Sequence, residues 1–428
     1  MDESLWPDTG SARYFHEGDL YYPPRLMSHE NLDDYTPGGF HHIMLGDGFS
    51  QGRYRIVHKL GYGGFSTTWL ARDQHKNILV ALKALRASAS VETDTVDYTI
   101  RDVVIPQKLH SALPTSDLFR PVHDSFVEGP NGLHRFLIHP FAGPSLYSIL
   151  MDNFGKQVQL RLDLARKVAK QTASAIYEMH RVGFVHGDLT TSNILFRVID
   201  PILGWSDAEV YHYLGAPRTD ELRTTSGDPY GPHVPRELVE PVNHLRFFKQ
   251  TLLLQENIVV IDFGQSYEVA SPPKIYQPGT KMNYTSSETL FDDRAGVEAD
   301  VWALGCAIYE ICTGYHFFAM LSGDRDEILS EIFQTLGKPP DTWWKTFEEE
   351  WTELTRCPVH SRVSLAADAI YNAPAHVENA LPITEVPKVR MDEKEVDLLA
   401  DLLEKMIRYR PGKRITMEEV INHPWFDM

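Results

Sequence analysis

Near the N-terminal end of this 428-residue chain, apolar and β-branched positions gather into three short strand-like runs over 54–60, 67–72 and 78–84, with glycines between the first two. These predict a small β-rich unit. Further along the period changes: Leu162, Ala165, Val168, Ala169, Thr172, Ile176 and Met179 recur at helical spacing and put one apolar face on a helix over 162–179 that stops before Gly183. From there the chain reads as largely helical. The class expected is α+β, with a small β-rich N-terminal lobe over 51–143 and a large, mainly helical C-terminal lobe over 144–428.

Residues 1–50 are rich in Pro, Gly, Tyr and His without a sustained period and read as an extended N-terminal extension. Asn193 and Asp262 stand 69 positions apart, where two short strands and a turn need only about 15 residues. The excess, over 200–256, contains Pro201, Pro217, Pro229, Pro232, Pro235 and Pro241 and reads as an insert or spacer. Trp205, Tyr211, Tyr213 and Leu214 leave open whether it packs down or stays a disordered spacer. A second elaboration, over 321–390, is acidic, with Asp324, Asp326, Glu327, Glu331, Asp341, Glu348, Glu349, Glu350 and Glu353.

The 41 basic and 59 acidic residues give a formal net charge of −18, which argues against non-specific nucleic-acid binding and favours basic partners. The three cysteines, Cys306, Cys312 and Cys357, suggest neither a disulfide framework nor a zinc site. The first residues lack a basic-then-apolar signal pattern, and no apolar run is long enough to span a bilayer. A cytosolic or nuclear protein, without membrane contact and monomeric, is expected.

Four strings carry the chemistry: Gly61-Tyr62-Gly63-Gly64-Phe65-Ser66, Val80-Ala81-Leu82-Lys83, His186-Gly187-Asp188 with Asn193, and Asp262-Phe263-Gly264. Their order is the one phosphoryl transfer from ATP requires: cover the phosphates, pair with them, accept the proton of the attacking hydroxyl, and hold magnesium. Glycines let backbone N–H groups approach phosphate oxygens closely. Lys83 in an apolar strand is costly to bury without an anion to meet, and Asp102, on a helix over 98–109 interrupted by Pro106, is its candidate partner. Asp188 is the expected base and Asn193, five residues on, an amide-oxygen metal ligand. Asp262, at the end of the apolar run 258–261, is the carboxylate metal ligand.

These strings resemble the eukaryotic protein kinase superfamily. Ser286-Ser287-Glu288 stands where kinases carry Ala-Pro-Glu, Asp300-Val301-Trp302-Ala303-Leu304-Gly305 looks like the opening of the large-lobe central helix, and Arg414 sits where an arginine pairs with that glutamate. More narrowly, Pro37-Gly38-Gly39-Phe40-His41, Leu45-Gly46-Asp47, Gly52-Arg53-Tyr54, Lys59-Leu60-Gly61-Tyr62-Gly63 and Phe65-Ser66-Thr67-Thr68-Trp69-Leu70 resemble the SR-protein-specific kinases, as does His423-Pro424-Trp425-Phe426. The resemblance implies a bilobal protein-kinase fold and an ATP- and Mg2+-dependent serine/threonine kinase acting on basic, arginine/serine-rich proteins, with an acidic docking groove near the second elaboration. Residue by residue it implies Asp188, Lys83 and Asn193 in catalysis, and Asn193 and Asp262 on metal. Nucleotide falls to Leu60, Gly61, Gly63, Gly64, Ser66 and Lys83, with Asp102 behind Lys83.

Three departures stand out. Ser66 replaces the third glycine, as in the SR-protein kinases. Gly187 replaces an arginine that in many kinases clamps a phosphorylated loop. Thr190 stands where protein-serine kinases carry a lysine that touches the transferred phosphoryl group. Two rival readings therefore stay open: a pseudokinase scaffold, and a small-molecule phosphotransferase of the aminoglycoside or choline kinase type.

Overall fold

The computed structural model describes residues 20–90, 101–129, 132–151, 159–229, 231–243, 253–273, 279–292, 294–320, 323–345, 356–372 and 391–428. The chain divides into two compact units, neither of which is one continuous stretch. The first takes residues 1–91, 124–139 and 204–242, and the second takes 92–123, 140–203 and 243–428. This differs from the linear boundaries at 51–143 and 144–428. The central part of the insert belongs with the small β-rich unit, and the helix expected over 98–109 belongs with the large one.

The first unit is built on a six-stranded sheet in the order β1-β2-β3-β4-β6-β5. Its strands are β1 (Gly48–Phe49), β2 (Tyr54–Tyr62), β3 (Ser66–Asp73), β4 (Ile78–Leu85), β5 (Asp124–Glu128) and β6 (His134–Pro140). Each of the three predicted runs lies within one of β2, β3 and β4. Alternation sorts the residues of β4: Ile78, Val80, Leu82 and Ala84 face an apolar cluster with Tyr54, Ile56, Trp69, Phe136 and Ile138, while Lys83 lies on the other face opposite Thr68 of β3.

The insert covers part of this sheet. A short helix, Asp207–Leu214, is opened by a capping box between Ser206 and Glu209, and its Asp207 meets Arg55 and Arg72 of the sheet. Val239, on the hairpin of Thr219–Glu221 with Glu237–Val239, enters the sheet's own apolar cluster. Leu222 and Leu238 pack with Tyr35 and Phe40 of the N-terminal extension in a second cluster. The spacer alternative therefore falls: residues 204–229 and 231–242 are a packed cover, because this face offers apolar area that only burial can satisfy. The extension is tied in by charge as well, since the fully buried Lys59 ammonium bonds Glu30, which also accepts from Tyr35. A buried charge is tolerable only in such company.

The second unit centres on two helices, Leu162–Arg181 and Val297–Thr313, packed together over one large apolar core. Of the predicted face, Ala165, Val168, Ala169, Thr172, Ile176 and Met179 are buried and Leu162 packs partly against the core. Strand Leu254–Val260 runs antiparallel to Ile194–Val198, with Val260 opposite Ile194 and Leu254 opposite Val198, so the insert leaves and returns at one place. The helix expected over 98–109 is described as Arg101–Ala112 with Pro106 inside it; 98–100 lie outside the described residues. The acidic elaboration contains helices Arg325–Leu336, Asp341–Trp344 and Val359–Asn372, and Glu348, Glu349, Glu350 and Glu353 lie outside the described residues. Among the described residues no helix is long and apolar enough to cross a membrane.

Candidate active site

In the first unit the glycine loop is the hairpin between β2 and β3, where Gly61 pairs with Thr68, Tyr62 with Thr67, and the Gly63 N–H closes the turn on the Ser66 carbonyl at 2.9 Å. Gly61, Gly63 and Gly64 do not adopt the left-handed backbone that demands glycine, and a Cβ added at each would meet no protein atom within 4 Å. Neither strain nor crowding within the protein therefore explains these three glycines. The open space beside them leaves the backbone accessible to a ligand, which suits the phosphates of a nucleotide. Leu60 is half-buried at the start of this segment and Ser66 is buried at its end.

In the second unit strand pairing closes the 69-residue gap. Asn193 immediately precedes strand Ile194–Val198, Asp262 follows the partner strand by two residues, and the Ile261 N–H donates to the Asn193 carbonyl at 2.9 Å. The Asn193 amide nitrogen donates to the Asp188 carbonyl at 2.8 Å and to its carboxylate at 3.2 Å. With that nitrogen committed, the amide offers oxygen as its donor atom to a metal. Asp262 holds φ 65°, a left-handed conformation that costs most L residues energy and that Asp tolerates better than most. Asp102 lies beside the same corner: a Cβ on Gly264 would stand 3.1 Å from the Asp102 carboxylate and 3.6 Å from that of Asp262.

The loop carrying Asp188 is held from below by Asp300, in the first turn of helix Val297–Thr313. Its carboxylate accepts the N–H groups of His186 (2.7 Å) and Gly187 (2.9 Å) and meets His180 Nε2 at 2.9 Å. Burial pushes the Asp300 pKa up, but the His180 bond, the two imidazoles and the Gly187 N–H outweigh it and hold the carboxyl below its usual range. His186 is buried and its pKa is lowered by that burial. Its Nδ1 accepts the Asp188 N–H at 3.2 Å, which leaves Nε2 to donate to the Ile261 carbonyl at 3.3 Å. Gly187 sits at φ 78°, where any side chain would be strained.

Asp188 is pushed up to about 7, first by burial and then by the Asp262 carboxylate; Asn193, Thr280 and Lys281 act in the opposite sense. That brings the titration of this carboxyl close to neutral pH. Among the described residues no three His, Cys, Asp or Glu side chains gather as for a tightly held metal ion. Asn193 and Asp262 form a two-donor oxygen set, and this suits Mg2+, which keeps waters and substrate phosphates among its ligands.

Sequence reasoning gave no role to Glu310. Buried in helix Val297–Thr313, it accepts from Thr191 of the loop that carries Asp188 and from Tyr284, and meets His316 at 2.8 Å. A carboxylate within the apolar run Val301–Cys312 of this helix was the available signal, because burying one unpaired costs too much. The described parts of the segment from Gly264 to Glu288, residues 264–273 and 279–288, make contacts of their own: Tyr267–Glu268 pairs with Phe184–Val185, Ser266 Oγ donates to the His186 carbonyl (2.7 Å), and Thr280 Oγ1 to that of Gly187 (2.9 Å). Arg414 grips Glu288 through both guanidinium nitrogens, at 2.7 and 2.6 Å, as expected for that pair. Of the acidic elaboration, Asp324 caps helix Arg325–Leu336 and is exposed with Asp326, whereas Glu331 bonds Arg362 at 2.8 Å. Glu331 is therefore spent inside the fold.

A family model of the protein kinase domain matches residues 54–202 and 249–426 and skips much of the insert. Serine/threonine-protein kinase SRPK of Physarum polycephalum is 24% identical over 92% of this chain and 91% of its own length. Protein kinase dsk1 of Schizosaccharomyces pombe is 22% identical over 94% and 86% respectively. Human SRSF protein kinase 3 is 30% identical over 44% of this chain and 33% of its own length. With a domain match that covers most of the chain, the chain belongs to the protein kinase family.

Proposed function

We propose that this protein is an active serine/threonine kinase that uses ATP and Mg2+ to phosphorylate serines in basic, arginine/serine-rich proteins. The observation that carries this reading is the grouping of Asp188, Asn193 and Asp262 by the paired strands, with Asp188 oriented by Asn193 and its loop held by Asp300. The left-handed backbone at Asp262, close to the bonded pair Asp188 and Asn193, favours chemistry over a scaffold role.

Asp188 orients the acceptor hydroxyl and takes its proton. The hydroxyl oxygen bonds to the γ-phosphorus as the bond from that phosphorus to the β–γ bridging oxygen breaks, and the bridging oxygen leaves on ADP with the electron pair. The backbone of Gly61, Gly63, Gly64 and Ser66 covers the phosphates, Leu60 borders the nucleotide, and Lys83 offsets phosphate charge. Asn193 and Asp262 would hold Mg2+, which neutralises phosphate charge and fixes the phosphate's orientation. The net charge of −18 and the exposed Asp324 and Asp326 support a basic substrate.

The test is transfer of labelled phosphate from ATP to an arginine/serine-repeat peptide, a generic acidic protein and an aminoglycoside, with Asp188→Asn as control. Incorporation into the peptide alone, abolished in the control, is expected. Incorporation into the aminoglycoside alone would overturn the reading in favour of a small-molecule phosphotransferase, and incorporation into none would leave a binding scaffold.

A further inference from the structure

The loop from His186 to Asn193 contains no lysine or arginine, and Thr190 is buried with a short neutral side chain. Phosphoryl transfer spreads negative charge over the equatorial oxygens, and a fixed cation at that point is worth orders of magnitude in rate. We propose that Lys281 supplies this cation, reaching into the catalytic loop from the segment before helix Ser287–Asp292. The proposal rests on the kinase reading above and assigns to Lys281 contact with the transferred phosphoryl group.

The backbone brings Lys281 there. Thr280, directly before it, is fixed by the bond from its hydroxyl to the Gly187 carbonyl, and the turn Met282–Tyr284 follows, anchored through Tyr284 on Glu310. The ammonium donates to Ser192 Oγ at 3.2 Å and lies 3.9 Å from the centre of the Tyr147 ring. Ser192 sits between Thr190 and Asn193, so the charge is already inside the loop. From this position it acts electrostatically on both Asp188 and Glu310. Glu310 is committed to Thr191, Tyr284 and His316, so it attracts the ammonium without taking it away.

The bonding partners suit a cation waiting for an anion. A serine hydroxyl is a neutral acceptor, and a phosphoryl oxygen is a stronger one, so the exchange on substrate binding is downhill. The aromatic face of Tyr147 orients the ammonium without neutralising it. Lys281 as a residue is exposed, and its flexible stem lets the head shift the short distance from Ser192. Throughout the transfer Lys281 keeps its protons and acts as charge alone, while the hydroxyl proton goes to Asp188.

Steady-state kinetics on the full chain with the arginine/serine-repeat peptide tests this. Lys281→Met should lower kcat by about 10²–10³-fold and leave both KM for ATP and the calorimetric affinity for ATP with Mg2+ within about 3-fold of wild type. Its unfolding midpoint should stay close to wild type. Lys281→Arg should retain most of the rate, and Thr190→Lys placed in the Lys281→Met background should recover at least about 10-fold. A kcat within about 3-fold of wild type, or a loss confined to KM for the peptide, would reduce Lys281 to a structural contact and overturn the proposal. Should Lys281→Met fail to fold, Lys281→Gln is read by the same criteria. A wild-type protein without transfer activity would overturn the kinase reading itself, and the proposal with it.

Discussion

Arg72 of β3 and Asp207 of the insert, 135 positions apart, are joined by an ion pair of 2.9 Å, and the same guanidinium also bonds the carbonyl of Trp205. Arg72 is buried at 6% exposure, so its charge depends on those oxygens. Asp207→Ala should destabilise the first unit by about 1–3 kcal/mol, the lower part of the range reflecting the partial exposure of Asp207. Urea unfolding measures it. A protein whose residues 204–242 are replaced by a short Gly/Ser linker should lose cooperative unfolding of this unit and bind a hydrophobic dye, because Val239 and the cover over Ile56 and Trp69 go with them.

His58 gives the same junction a pH dependence. Burial drives its pKa down to about 4, against bonds to the backbone of Lys59 and of Gly215 in the insert. The folded protein keeps the ring neutral while the unfolded chain takes up a proton near pH 6.5. The unfolded state then binds more protons, and stability, complete above about pH 6.5, declines as pH falls toward 4. Between about pH 7.5 and pH 5 the loss from this group should be about 2 kcal/mol, and His58→Gln should remove that part of the slope. An unchanged slope in urea titrations of the variant would assign the acid sensitivity to other groups.

The acidic elaboration should separate into two kinds of carboxylate. Asp324→Asn with Asp326→Asn should raise KM for a long arginine-rich peptide about 2–5-fold more than for a short one, and high salt should erase the difference. Glu331→Gln should leave KM alone and instead lower the unfolding midpoint, because it releases Arg362. A rise in KM from Glu331→Gln equal to that of the other two would contradict the division.

What could be read from the sequence was what repeats locally. The strands over 54–60, 67–72 and 78–84 and the helix over 162–179 each lie within an observed element, because alternation and the 3.6 period are properties of neighbouring residues. Lys83, Asp188, Asn193 and Asp262 stood out in the sequence because the phosphoryl transfer expected of them restricts both type and spacing. The destination of the insert was not. Arg55, Arg72 and Asp207 are ordinary charges taken one at a time, and Val239 stands between prolines in a stretch without period. Lys281 was equally silent, since its meaning comes from Tyr147 and Ser192, which only folding brings to it.

The way the two units share the chain constrains when each can form. The sheet is complete in sequence at Pro140, yet Val239 belongs to its apolar cluster and lies 101 residues beyond Ile138. At synthesis rates of about 5–20 residues per second, the sheet must wait roughly 5–20 s with that face uncovered. Meanwhile the segments 92–123 and 140–203, made in the interval, belong to a second unit whose helix Val297–Thr313 and Arg414 come later still. Neither unit can finish before the other has begun, and a chain stalled before Val239 would lack that residue's share of the cover over the sheet's apolar cluster.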